Sequence, residues 1–222
     1  MPFHRILIVL AAGPLAVSAF ASTLTVSETI GSQQGPWLYT NGGLNTSYQY
    51  GIGDQSAPDV ISAVNGFDFS AGNVFAVQYV SGTTSAGASY AFVDAGGNHA
   101  FPIDAGPGSS GRPAPSGFMP PATFPIYLSQ LVGAFANSSG QIVGTPFSVG
   151  DRAAGLIVPV GATQLQLGIN DDIYSDNDGS LVVRVTGPSS TSTTPEPSTA
   201  GLIFLDAAAL AALICRRSGR SC

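Results

Sequence analysis

QLQLGINDDIYSDNDGSLVVRVT, residues 164–186, contains two strands and the loop between them. Leu165, Leu167 and Ile169 alternate with Gln164, Gln166 and Gly168, while Leu181, Val183 and Val185 alternate with Val182, Arg184 and Thr186. Period-two alternation with one apolar face is the pattern of a half-buried strand. The intervening residues 170–178 carry four aspartates and two asparagines, in a chain of which only 9% is charged. No Lys or Arg lies among them. Like charges this close repel, so the loop needs a reason to gather them. One reason is a bound cation. The alternative is a solvated turn, since Asp, Asn and Gly are ordinary turn residues.

The same alternation recurs upstream. Leu24 and Val26 alternate with Thr23, Thr25 and Ser27; Val74, Ala76 and Gln78 oppose Phe75, Val77 and Tyr79; Tyr90 and Phe92 follow. Gly, Ser, Asn and Pro clusters separate these runs. Residues 127–136 come nearest to a helical pattern, but the preceding Phe124-Pro125-Ile126 and the internal Gly133 favour an extended segment. Eight or so short strands with frequent turns predict an all-β sandwich. Residues 106–125 hold six prolines and read as one long surface loop. Trp37, Tyr39, Tyr48 and Tyr50 could form an aromatic ligand platform, though such residues more often pack a sandwich edge.

The two ends are of a different character. Arg5, an apolar run over 6–20 and the small-x-small Ala19-Phe20-Ala21 make residues 1–21 a secretory signal peptide, with Ser22 the expected first residue of the exported chain. Residues 22–186 form the predicted sandwich domain, and 187–194, small and polar, its linker. Residues 195–222 contain Pro195-Glu196-Pro197, an apolar run over 200–215, then Arg216, Arg217 and Arg220. As a helix that run would be about 24 Å long, slightly short of the ~30 Å bilayer core. Asp206 interrupts it, at about 2.5–3.5 kcal/mol for an acid at the centre of a span. It is a contact for a processing enzyme or a defect that a short-lived anchor tolerates.

Motif, apolar run and basic tail together resemble the PEP-CTERM sorting signal of bacterial envelope proteins. The resemblance implies an exosortase-type partner, a membrane cysteine transpeptidase that recognises the Pro-Glu-Pro element. It also implies transient membrane anchoring through a C-terminal hydrophobic helix, with Arg216 and Arg217 on the cytoplasmic side. The exported region would then reach the cell envelope or extracellular matrix, membrane-anchored until processed.

Residues 22–194 hold eleven acids against three arginines and no lysine, a net charge of −8. A phosphate backbone would be repelled, so nucleic acid is not an expected partner. Both cysteines, Cys215 and Cys222, lie in the tail, so no disulfide stabilises the domain. Catalysis is not expected either. The domain has one histidine, His99, and no G-x-S-x-G elbow, and no carboxylate pair is singled out for glycoside hydrolysis.

An EF-hand reading of the acidic loop fails. Aligned on Gly179, its first position is Tyr174 and its twelfth Val185, neither an acid. The segment 131–186 instead resembles the calcium-dependent galactophilic lectins of bacteria, which are small jelly-roll sandwiches. In those proteins an Asn-Asp pair ends one strand and a Tyr-x-Asn-Asn-x-Gly run leads into the last. The counterparts here are Asn170-Asp171 and the run from Tyr174 to Gly179. The resemblance implies a jelly-roll-like β-sandwich with Ca²⁺ held by Asp171, Asp176, Asn177 and a loop carbonyl near Ile173. The loop is two residues shorter than in the lectins, which bears on geometry. Asp replaces the first Asn, which adds charge favouring a divalent cation. All these donors are oxygens, as calcium prefers, whereas zinc or copper would call for His or Cys. An ion enclosed by protein would only stabilise the hairpin. An ion with an open position would bind sugar hydroxyls. The expected role is therefore a calcium-stabilised structural or interaction protein of the cell surface or polysaccharide matrix, or else a calcium-dependent carbohydrate-binding module.

Overall fold

The computed structural model describes residues 22–38, 48–104 and 107–190. The signal peptide, Tyr39, the Pro195-Glu196-Pro197 motif, Asp206, Arg216 and Arg217 lie outside them. Among the described residues no helix is long and apolar enough to cross a membrane.

Ten strands are described: β1 (Thr23–Gly31), β2 (Asp59–Ser62), β3 (Val74–Ser85), β4 (Asn98–Pro102), β5 (Tyr127–Leu128), β6 (Leu131–Ala136), β7 (Phe147–Ser148), β8 (Arg152–Ile157), β9 (Gln164–Ile169) and β10 (Asp178–Pro188). They form one four-stranded sheet in the order β1-β10-β3-β8, a second in the order β2-β9-β6-β7, and a small β4-β5 hairpin. All named pairings are antiparallel. The result is an all-β sandwich. Its core is made by the inward positions of both sheets. Val183, Val185 and Phe75 from the first sheet share one cluster with Leu165, Leu167 and Phe135 from the second. Burying side chains of this size stabilises by about 1.5–3 kcal/mol each.

The alternation in 181–185 and 74–79 appears as expected, with Leu181, Val183 and Val185 buried on one face of β10. β9 differs, because it is buried on both faces. Its outer face is covered by the segment around Gly35 and Pro36, which lies so close to Gly168 that a Cβ there would collide with backbone. Gln34 closes the contact by accepting a hydrogen bond from the Ile169 N–H at 2.8 Å. β10 runs on through Gly187 and Pro188, which pair with Leu24 and Thr23, so strand pairing extends two residues into the tract read as linker. The proline-rich stretch is not wholly a surface loop. Ala114, Pro115, Ser116 and Met119 are buried, around two 3-10 turns at Pro115–Phe118 and Pro121–Thr123. Trp37 and Tyr50 are also core residues, edge-on at 5.7 Å, and do not form an exposed platform.

Candidate functional site

The acidic loop leaves the second sheet at the end of β9 and enters the first at β10, so it bridges the two layers at one end of the sandwich. Asn170, fully buried, fixes its start. Its Oδ1 accepts from the Ser116 N–H at 2.9 Å and its Nδ2 donates to the Tyr127 carbonyl at 3.0 Å. Tyr174 fixes the middle. Its hydroxyl donates to the Ile169 carbonyl at 2.7 Å, and its ring packs against Tyr50 at 5.9 Å. Asp54, from a loop more than a hundred residues earlier, accepts the Tyr174 and Ser175 N–H groups at 3.0 and 2.7 Å.

Each acid in this frame has a different task. Asp171, only 2% exposed, turns its Oδ1 back to accept from the N–H groups of Asp172 and Ile173 at 2.7 and 3.1 Å. Its Oδ2 is buried without a hydrogen-bond donor among the described residues. Burial pushes the Asp171 carboxyl up to about 7; the Ile173 and Asp172 N–H groups and the nearby Asn177 side-chain amide pull the other way, and the neighbouring Asp172 charge adds to the rise. Asn177, 6% exposed, donates from Nδ2 to the Ser32 carbonyl at 3.0 Å, and its Oδ1 also lacks a donor. Asp172 is buried and accepts the Ser110 N–H at 2.6 Å. Gly108 lies against the Asp172 carboxyl, where a Cβ would collide. Asp176 is exposed, and a Cβ on Gly87 would come within 2.5 Å of its Oδ2. Asp178 faces outward and caps the start of β10 by accepting from Gly179 at 2.7 Å.

Asp171, Asp172, Ile173 and Asp176 line one cavity of about 340 Å³. The same cavity is lined by Ala86, just past β3, and by Tyr90, Phe101 and Leu128. Three of the four residues expected to hold a metal are thus brought to one cavity. The fourth, Asn177, is buried close enough to influence the Asp171 carboxyl but does not line it. Among the described residues no three His, Cys, Asp or Glu side chains converge on a common centre. The two buried acceptors nonetheless have the chemistry of a hard-cation site. Calcium is commonly held by amide and main-chain oxygens as well as carboxylates. An unpaired buried acceptor otherwise costs about 1–3 kcal/mol.

Sequence reasoning did not place Asp54, Ala86, Tyr90 or Phe101 at this end of the molecule. It counted Asp172 among the four acids of the run but gave it no separate role. The others arrive through tertiary contacts. His99 stacks on Tyr127 at 4.2 Å and does not line the cavity.

No family model matches the chain, and no curated protein matches it. Among solved structures the chain is similar to one described as "EclA N-terminal domain; PllA-like lectin", at 17% identity, over 72% of this chain and 94% of that one, with a TM-score of 0.37. At that TM-score the architecture rests on the strand pairings alone.

Proposed function

We propose that this is an exported, surface-directed protein that binds carbohydrate through a calcium ion held by the 171–177 loop. The observation that carries the reading is that Asp171, Ile173 and Asp176 share one cavity while the buried Oδ2 of Asp171 has no donor. Asp171, Asp176, Asn177 and the Ile173 carbonyl would hold the ion. When bound, Ca²⁺ supplies coordination positions for oxygen ligands such as sugar hydroxyls. The strand orders β1-β10-β3-β8 and β2-β9-β6-β7, taken without the β4-β5 hairpin, support the jelly-roll reading and with it the resemblance to calcium-dependent lectins. The protein is read as a binder and not a catalyst. Its route to the surface is the signal peptide, then exosortase-type processing at Pro195-Glu196-Pro197.

Melting the full chain with excess Ca²⁺ and with EDTA tests the ion. At a hundred times Kd, ligand linkage stabilises by about 2.7 kcal/mol, or roughly 5–11 °C for a domain of this size. Equal melting temperatures would end the proposal. A glycan array run with calcium and with chelator tests the sugar. A second reading, in which the ion is only structural, is favoured by the depth at which Asp171 and Asn177 are buried. A calcium-dependent melt with no glycan bound would select it. Replacing Pro195-Glu196-Pro197 by alanines should leave the C-terminal segment uncleaved in the native host, as read by the mass of the surface protein.

A further inference from the structure

Apart from its acids, the cavity lining is largely apolar and carries two aromatic rings. Tyr90 and Phe101 meet edge to face, with ring centroids 5.1 Å apart and planes at 82°. Phe101 is 45% exposed. A lone exposed phenylalanine is ordinary, but this one lines a cavity beside a second ring whose backbone is held in place. The single Ser85 hydroxyl proton is shared between the Gly87 and Tyr90 carbonyls, each 2.9 Å from Oγ, and the Tyr90 N–H donates to the Gly87 carbonyl at 3.0 Å. Gly87 in the same turn sits against Asp176, at a backbone φ of +100°. One turn therefore carries an aromatic ring and also abuts the acidic wall.

We infer that Tyr90 and Phe101 form the surface on which the C–H face of a neutral pyranose lies, and that the aspartates lining the same cavity select against acidic sugars. The inference rests on the calcium-dependent carbohydrate reading above and extends it to the residues and charge class that set specificity. A pyranose is amphipathic, with hydroxyls for the oxygen-rich wall and C–H groups for the rings. A wholly apolar ligand would leave the carboxylates desolvated against it. An anion fares no better. Asp171, Asp172 and Asp176 line the cavity with no Lys, Arg or His among its lining residues, and three carboxylates outweigh the two charges of a calcium ion. The volume of about 340 Å³ is at the lower end of the range of about 300–1,000 Å³ for small-ligand pockets, which suits a single ring and not an extended chain.

The test uses the full chain with calcium. The probes are methyl pyranosides of galactose, glucose and mannose, together with methyl glucuronoside and its methyl ester, which differ in charge and by one methyl group. Binding is read by titration calorimetry and ligand-observed NMR. At least one neutral pyranoside should bind. Tyr90→Ala and Phe101→Ala should each weaken it about ten-fold, equivalent to roughly 1.4 kcal/mol. Phe101→Leu, which keeps the bulk and removes the ring, should weaken it as well. The calcium-dependent melting shift should be unchanged in all three variants, which also shows that they are folded. The ester should bind at least ten-fold more tightly than the acid. Unchanged affinity in both alanine variants, equal binding of acid and ester, or no bound pyranoside alongside a normal calcium shift would each overturn the inference and leave the calcium site standing. Absence of the calcium shift in the unaltered chain would remove the underlying reading and the inference with it.

Discussion

Asp59 on β2 and Asp171 at the end of β9 each bury a carboxylate oxygen that finds no donor among the described residues. Their surroundings differ. Asp59 is pushed up to about 6, first by burial and then by the Glu28 carboxylate nearby. Its charge is therefore relieved by a proton once the pH falls towards 6. Asp171 is pushed up further, to about 7, but it sits beside the unpartnered Asn177 Oδ1 and shares a cavity with Ile173 and Asp176. There the proposed calcium ion would relieve the same problem in a second way. A buried orphan oxygen alone does not carry that proposal; a cavity lined by further oxygen-bearing residues supports it.

The largest expected effect separates the two directly. Asp171→Asn should remove the calcium-dependent rise in melting temperature, while Asp59→Asn should leave it whole. Calcium melts of both variants measure this, and loss of the response in Asp59→Asn would dissolve the distinction.

The next effect is steric. Gly87→Ala combines a strained positive φ with a Cβ 2.5 Å from Asp176 Oδ2, whereas Gly161→Ala carries a similar φ of +91° with nothing within 4 Å. Both should lose about 1 kcal/mol from the backbone term. Gly87→Ala also displaces the Asp176 carboxylate, the far end of an exposed side chain, so it should cost little further stability but should weaken calcium binding. Calcium-dependent melting compares the pair. Equal calcium shifts would mean that the turn does not position Asp176.

The smallest effect is the pH response of Asp59. Its folded carboxyl titrates at about 6, above the ordinary 3.8. Between those values the folded state holds more protons than the unfolded one. Stability therefore falls as pH rises from about 4 to about 6 and levels off above that. Asp171 adds a dependence of the same sign up to about 7 when no cation is bound, so the series belongs in an Asp171→Asn background. Partial exposure of Asp59 screens the effect and keeps it small. Adding Asp59→Asn should flatten the slope across pH 4–6, and an unaltered slope would show that Asp59 is not its source.

The alternation in residues 74–79 and 181–185 was sufficient to read β3 and β10 as strands with one buried face, because a period of two is a local property of a pleated chain. The acidic loop was equally legible, since nine consecutive residues carry it. β9 was read as half-buried and proved buried on both faces, because its cover at Gly35 and Pro36 comes from over a hundred residues away. Residues 115–119 were read as loop surface, yet the Ser116 N–H supplies a donor that Asn170 requires. Composition cannot foretell which prolines will be drawn inward by such a bond.

By itself, then, the sequence determined the alternating strands β1, β3 and β10, the lack of cysteine in residues 22–194, their acidic charge and the oxygen-rich loop, all of which follow from residue type and near-neighbour spacing. Only the tertiary structure decided which acids in that loop line a cavity and which cap a strand, and which aromatic rings share that cavity. Those relations join residues far apart in sequence, which only the folded chain brings to one place.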